Sequence, residues 1–214
     1  MKAVRNGNPE EHVILEHGGK HPNIHASARI APNAVVCGDV TIGENCSIGF
    51  GAVLTAESGP IIIGKNVIVM DTAVLRGVRG APLTIGDNVL IGPHAYLTGC
   101  TIEDEVFLAT GVTVFNKAVV KRRAEVRINA IVHLRTVLPE GATVPLGWIA
   151  VGDPARILPP EKHDEIWSIQ RALDFPMTVF GVERPAEGES LMTDVMPRYA
   201  KALARWHAQN RETE

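Results

Sequence analysis

Residues 85–97 read Ile-Gly-Asp-Asn-Val-Leu-Ile-Gly-Pro-His-Ala-Tyr-Leu, and their aliphatic side chains are regularly spaced. An aliphatic residue at Ile85 returns six residues later at Ile91 and again at Leu97. Val89 and Ala95, which are β-branched or small, lie four residues after Ile85 and Ile91. An α-helix has 3.6 residues per turn and would spread a six-residue period around its whole surface. The pattern therefore favours short strands joined by regular corners.

The same period runs from residue 30 to residue 144. Its aliphatic positions elsewhere are Ile30, Val36, Ile42, Ile48, Leu54, Ile63, Val69, Leu75, Ile102, Leu108, Val114, Val120, Val126, Val132, Leu138 and Val144. A prism of short parallel strands satisfies this spacing, because each hexad makes one flat face and one corner, and three faces close a coil. Successive coils would stack at the usual strand spacing of about 4.8 Å. An aromatic content of only 5% agrees with a narrow aliphatic core. We therefore predict a mainly β protein whose parallel β-helix spans residues 29–153.

Two interruptions of the period predict loops that bulge from corners. Leu54 and Ile63 are nine residues apart, and Leu75 and Ile85 are ten. The extra residues carry glycine and proline, at 57–60 and again at 77–82, which is typical of turns. Loops on a rigid scaffold often carry function.

The flanks differ from the repeat. Residues 1–28 show no helical period and are predicted to be an extended segment; their histidines, His12, His17, His21 and His25, have no rigid element that would make them a metal site. Residues 154–214 are predicted to form two helices, from Pro160 to about Leu173 and from about Leu191 to Gln209, joined by a proline- and glycine-bearing loop near 175–188. The second helix has an apolar stripe that should pack on the β-helix or on another subunit, made of Met192, Val195, Met196, Tyr199, Leu203 and Trp206.

Composition restricts the partners and the compartment. A formal net charge of −3 provides no general basic field for nucleic acid or for an anionic membrane. No apolar run approaches the ~18 residues of a membrane span, and the first residues do not look like a signal peptide. The three cysteines, Cys37, Cys46 and Cys100, follow no zinc spacing and fit buried thiols in a reducing cytosol. We expect a cytoplasmic protein that self-associates to cover the open ends and flat faces of the prism, and a trimer fits its three faces.

Five segments of the repeat resemble the γ-class carbonic anhydrases of the hexapeptide-repeat superfamily, over roughly residues 28–158. These segments are 30–35 with Gly38-Asp39-Val40, Gly51-Ala52-Val53-Leu54, Asp71-Thr72-Ala73-Val74-Leu75, residues 97–102, and Gly152-Asp153-Pro154-Ala155. The resemblance implies a left-handed parallel β-helix of hexapeptide repeats with C-terminal α-helices, assembled as a homotrimer. In active members it also implies a zinc ion between subunits, held by two histidines of one subunit and one of its neighbour.

The zinc-ligand positions of the family carry other residues in this sequence. The three histidine positions fall on Arg76, Pro93 and Thr98, with His94 one place late. The family's Arg-Gly-Asp reads Thr55-Ala56-Glu57, and the polar Asn and Gln before its Asp are Ile68 and Met70. Zinc catalysis needs three neutral imidazoles and an open position for water. We therefore expect neither a zinc cofactor nor CO2 hydration.

The register of the hexads predicts which residues share the former metal position. Counting coils places Thr55, Arg76, Thr98, Phe115 and His133 in one vertical column. His133 would lie two coils, or about 10 Å, from Thr98, too far for both to ligate one metal. An arginine near a histidine suits a small anion or an acyl compound bound between subunits. The predicted catalytic group is therefore Arg76, Thr98 and His94, with His94 reaching Arg76 across the subunit boundary. The binding candidates are Thr55, Glu57, Asp71, Arg127 and His133.

Four alternatives remain open at this stage. Arg76 could pair with Glu57 or another interface acid and only tie subunits together, which would leave a non-catalytic trimeric scaffold. A CoA-dependent acyltransferase or a thioesterase would use His94 or His133 as its base. Its CoA phosphates would lie on the basic residues of 117–127, namely Lys117, Lys121, Arg122, Arg123 and Arg127. An active carbonic anhydrase with a relocated metal site is the last alternative.

Overall fold

A computed structural model describes residues 13–186 and 188–212. Its strands form three sheets, in which strands from successive coils pair in parallel and in register. The result is a left-handed parallel β-helix of about eight turns, followed by C-terminal helices. The predicted fold class is confirmed.

Each sheet is one face of the prism. Sheet A contains Val13–His17, Val35–Cys37, Val53–Ala56, Val74–Gly77, Tyr96–Thr98, Thr113–Val114, Ile131–Val132 and Ile149–Val151, with Arg156–Leu158 and Asn210–Glu212 added antiparallel at its two ends. Sheet B contains Asn23–Ile24, Val40–Ile42, Ile61–Ile63, Leu83–Ile85, Thr101–Ile102, Val119–Val120 and Val137–Leu138. Sheet C contains Arg29–Ile30, Ser47–Ile48, Ile68–Val69, Leu90–Ile91, Phe107–Leu108, Glu125–Val126 and Thr143–Val144.

The core is a column of aliphatic side chains along the axis of the prism. Leu54, Leu75 and Leu97 stack on successive coils of sheet A, and each is fully buried. The small residues of the repeat, such as Ala73 and Ala95, are buried beside them. Burying one such leucine contributes about 1.5–3 kcal/mol, so the repeat itself supplies most of the driving force for folding.

The corners explain the glycine that follows many of the buried aliphatic residues. The Oδ1 atom of Asp87 accepts a hydrogen bond of 2.7 Å from the backbone N–H of Lys65 on the preceding coil. A Cβ atom on Gly64 would lie 2.3 Å from that same oxygen. Only glycine leaves room for the aspartate that joins the two coils at this corner.

The N-terminal flank differs from the prediction. Val13–His17 and Asn23–Ile24 already pair with sheets A and B, so the β-helix begins ahead of residue 29, although the division into domains itself stays a prediction. His12 lies outside the described residues. His21 contacts Glu16 at 3.3 Å and His25 contacts Ser27 at 2.8 Å. Across residues 13–186 and 188–212, no group of three or more metal-ligating side chains is found.

The C-terminal segment lies against sheet A. After a 3-10 turn at Pro160–Lys162, helix α1 spans His163–Ala172 and helix α2 spans Met192–His207. The loop predicted to connect the two helices contains a π-helix at Pro176–Phe180. In the stripe of α2, Val195 is buried whereas Met192 and Met196 are exposed, so only part of the stripe packs on this chain. Neither described helix has the length and apolar character to cross a membrane.

Candidate binding cavity

The predicted column of residues exists on the outer surface of sheet A. Arg76 pairs in register with Thr55 on one side and with Thr98 on the other. The next two coils continue the column with Phe115 and His133, whose rings lie 5.9 Å apart. Successive side chains of a strand point to opposite faces of the sheet. Because Leu75 and Leu97 point inward, their neighbours Arg76 and Thr98 point outward into the column.

A cavity of about 560 Å³ lies over this column, between sheet A and the C-terminal segment. Arg76, Thr98 and Phe115 line it from the sheet, and Phe180 and Tyr199 line it from the π-helix and from α2. Cavities of about 300–1,000 Å³ are typical of small-molecule sites. The volume is therefore sufficient for one small organic molecule.

Arg76 is held inside the cavity by partners from its own chain. Its guanidinium donates hydrogen bonds to the carboxylate of Glu57 and, at 3.4 Å, to the hydroxyl of Tyr96. Burial disfavours the charged form, but the hydrogen bonds to Tyr96 and Tyr199 and the charge of Glu57 outweigh it and raise the pKa of Arg76. The pairing of Arg76 with Glu57, which the sequence left open, is present within one chain.

Two further arginines lie at the opening of the cavity. Arg79, in the loop at 77–82, and Arg198, on α2, both line the cavity while being exposed to solvent. The backbone N–H of Arg79 donates to the hydroxyl of Ser58 at 2.8 Å, which joins the two bulging loops. Within the described part of the chain, no carboxylate forms an ion pair with either guanidinium. The opening is therefore positively charged, while the interior pair of Arg76 and Glu57 is neutral.

Thr98 contributes a polar group to the floor. It is only 5% exposed, lies next to Arg76 and lines the cavity. Its side-chain hydroxyl has no hydrogen-bond partner among the residues that the structure describes. A ligand with an oxygen acceptor or a donor could satisfy it.

Three predicted site residues lie outside this cavity. His94 is exposed at a corner, where its Nδ1 atom lies 2.5 Å from the hydroxyl of Thr72. The carboxylate of Asp71 accepts the backbone N–H of Phe50 at 2.7 Å and so has a structural role. Thr55 lies beside Arg76 without lining the cavity. The predicted grouping of His94 with Arg76 is not found within one chain, and contact across a subunit boundary stays a prediction.

His133 and Arg127 are also separate from the cavity. The Nδ1 atom of His133 is buried and has no hydrogen-bond partner among the described residues, and burial lowers the pKa of this imidazole. Arg127 lies 2.5 Å from Glu125 and borders an apolar groove on sheet C. Arg122 and Arg123 of the same basic run pair with Glu105 and Glu140. Much of the charge proposed for CoA phosphates is therefore already neutralised.

Comparison with known proteins identifies the family. The model described as "Bacterial transferase hexapeptide (six repeats)" matches residues 21–56, and the model "Hexapeptide repeat of succinyl-transferase" matches residues 82–116. The carbonic anhydrase of Geobacillus kaustophilus is 30% identical over 159 residues, which cover 74% of this chain and 84% of that protein. The chain belongs to the γ-carbonic-anhydrase-like family of hexapeptide-repeat proteins.

One further relative and one solved structure are similar to the chain. "Gamma carbonic anhydrase 1, mitochondrial" of Arabidopsis thaliana is 35% identical over 159 residues, covering 72% of this chain and 56% of that protein. This γ-carbonic-anhydrase-like chain thus spans little more than half the length of that relative. A solved hexapeptide transferase family protein from Anaplasma phagocytophilum is 30% identical, with a TM-score of 0.48 and coverage of 75% of this chain and 91% of that one.

The resemblance assigns the zinc-ligand positions to Arg76, Pro93 and Thr98, and the side chains there do not fit a zinc ion. Arg76 carries a guanidinium that remains protonated, Pro93 has no donor atom in its side chain, and Thr98 offers only a neutral hydroxyl. Arg76 and Thr98 lie side by side in the column, and the guanidinium of Arg76 would repel a cation there.

Sequence reasoning missed the residues that complete the cavity. The alternation of the strand could have identified Tyr96, because this residue precedes the inward Leu97 and therefore points outward next to Arg76 and Thr98. Tyr199 was in the predicted stripe of α2, but the stripe does not tell which part of the β-helix it covers. The placement of Arg198 and Phe180 at the cavity depends on the position of the whole C-terminal segment, which no local sequence pattern predicts.

Proposed function

We propose that this γ-carbonic-anhydrase-like protein binds a small organic anion or acyl compound in the cavity over Arg76 and does not hydrate CO2. The observation that carries the proposal is the pair of arginines at the opening, Arg79 and Arg198, which have no carboxylate partner in the described part of the chain. A guanidinium is the side chain best suited to a carboxylate, which it can hold through two parallel hydrogen bonds.

The lining of the cavity favours binding without turnover. Its described residues include hydroxyls and one carboxylate, Glu57, but no histidine, cysteine or lysine. Acyl transfer and thioester hydrolysis both need a base that can take a proton near neutral pH, and the carboxylate of Glu57 is engaged by Arg76. An acyl compound would therefore be held here rather than converted.

We further propose that the working form is a cytoplasmic homotrimer. An apolar groove of about 700 Å³ on sheet C supports self-association. Phe107, Ile128 and Leu146 line it with exposures of 40%, 46% and 63%. Contiguous exposed apolar surface of this kind marks interaction sites. Light scattering of the purified chain should give three times the mass of one chain; a monomer would contradict the assembly.

The binding function is tested by titrating the purified protein with simple carboxylates in a calorimeter. We expect saturable binding, weakened roughly fivefold or more in Arg198→Gln, because a charge-assisted contact is lost. Arg123→Gln is the matched control, since that arginine pairs with Glu140 at a corner outside the cavity.

Metal analysis and CO2 hydration complete the test of the proposed function. We expect no stoichiometric zinc and no hydration above the uncatalysed rate. Near-stoichiometric zinc together with CO2 hydration would overturn the proposal in favour of a relocated metal site. An absence of binding for every carboxylate would leave the trimeric scaffold.

A further inference from the structure

The aromatic residues of this chain are concentrated around the cavity. The sequence contains ten aromatic residues, counting three Trp, two Tyr and five Phe. Five of them line the cavity: Tyr96, Phe115, Phe175, Phe180 and Tyr199. Among the described residues, the fully buried core of the β-helix contains none, and Trp148 packs against it partly exposed. A chain with so few rings therefore places half of them at one site.

These rings form two groups that border the same space. On sheet A, Tyr96 and Phe115 lie 6.5 Å apart with their planes at 61°. On the C-terminal segment, Phe180 lies 5.7 Å from Phe175 at 86° and 6.3 Å from Tyr199 at 73°. Both groups have the edge-to-face arrangement that aromatic rings prefer. A flat ring of a ligand could enter between them and extend the same type of packing.

Of the three arginines that line the cavity, two have no carboxylate partner among the described residues. Arg79 and Arg198 are exposed at its opening, whereas Arg76 in the interior is neutralised by Glu57. An anionic group therefore finds unpaired cationic partners in Arg79 and Arg198, and an uncharged flat body finds the five rings. The hydroxyl of Thr98, which has no hydrogen-bond partner among the described residues, could donate a hydrogen bond to an oxygen of that body or accept one from a hydroxyl on it.

We infer that the ligand is an aromatic monocarboxylate, with its ring between the Phe115 and Phe180 groups and its carboxylate at Arg198 and Arg79. This inference rests on the proposed function and names the class of organic anion. An aliphatic acid of equal size would fill the same volume without the edge-to-face contacts. A neutral aromatic amide would keep the ring and lose the charge-assisted hydrogen bonds.

Calorimetric titration of the full chain with three matched compounds tests the inference. We expect benzoate to bind roughly five- to tenfold more tightly than cyclohexanecarboxylate, the value of one to two aromatic contacts. Benzamide should bind at least tenfold more weakly than benzoate, because the amide carries no charge. Equal affinity for benzoate and cyclohexanecarboxylate would overturn the inference while leaving organic-anion binding intact. Binding of neither acid would overturn the proposed function itself.

Variants of the rings separate aromatic recognition from simple burial. Phe115→Leu should reduce the preference for benzoate over cyclohexanecarboxylate to about twofold or less while both acids still bind. Phe50→Leu is the control, because Phe50 is 57% exposed and does not line the cavity, and its preference should be unchanged. Tyr199→Leu repeats the test from the side of α2, should Phe115→Leu fail to fold. A preference that survives in both cavity variants would overturn the inference.

Discussion

The ion pair between Arg76 and Glu57 leads to a prediction with two opposite effects. In the variant Glu57→Gln, Arg76 keeps its charge but loses the carboxylate that offsets its burial. The exposed fractions of the two side chains are 26% for Arg76 and 20% for Glu57, so the pair is mostly shielded from water. The folded protein should therefore become less stable, while an anion entering the cavity should bind more tightly.

The magnitudes follow from the position of the pair. Exposed pairs contribute about 0–1 kcal/mol, and breaking a fully buried pair costs about 3–5 kcal/mol, so this partly buried pair should cost about 1–2 kcal/mol. For a chain of this size that lowers Tm by about 2–8 °C. For an assumed separation of about 8 Å, two like charges repel by about 0.5–2 kcal/mol, so removing the charge of Glu57 should raise the affinity for a carboxylate by about 2- to 30-fold.

Thermal unfolding and benzoate calorimetry measure the two effects on the same preparation. Glu140→Gln is the matched control, because it makes the same change in the exposed pair with Arg123 and should alter neither Tm nor affinity measurably. The reasoning would be refuted by a Glu57→Gln protein that is as stable as the control, or that binds benzoate more weakly than the wild type.

Three other predictions concern the scaffold and its buried groups. Gly64→Ala should cost about 1–3 kcal/mol in urea unfolding, because the new Cβ would lie 2.3 Å from the carboxylate of Asp87; a neutral result would contradict the corner geometry. Burial raises the pKa of the thiols of Cys37, Cys46 and Cys100, so these thiols should not react with a thiol reagent at pH 8 in the native protein. In the unfolded chain all three thiols should react. Burial lowers the pKa of His133, so the folded state binds fewer protons than the unfolded state. The stability from this group is complete above the ordinary pKa of about 6.5 and declines as the pH falls through the folded value; Tm of His133→Phe should therefore fall less between pH 7.5 and 5 than Tm of the wild type.

The fold and the column of outward residues could be predicted from the sequence because a β-helix repeats one geometric rule. Once the inward positions Leu75 and Leu97 are known, the strand alternation places Arg76 and Thr98 side by side. The bulges at 57–60 and 77–82 only lengthen corners, so they do not disturb the register on either side.

The cavity could not be predicted in the same way, because its second wall belongs to the C-terminal segment. The stripe of α2 indicated that Tyr199 packs against something, and both sheet A and another subunit satisfied that pattern. The π-helix at Pro176–Phe180 has no periodic signal of its own, and it places Phe180 over the cavity. The contact between a helix and a β-helix depends on shape over many residues, which a local pattern does not encode.

A crystal structure of the protein soaked with 4-bromobenzoate would show where an aromatic acid binds, since the anomalous signal of bromine locates the ligand. We expect a bromine peak between Phe115 and Phe180 inside the cavity, with the carboxylate directed towards Arg198 and Arg79. A bromine peak elsewhere, or a zinc peak at the subunit boundary with none in the cavity, would overturn the proposed binding of an aromatic acid.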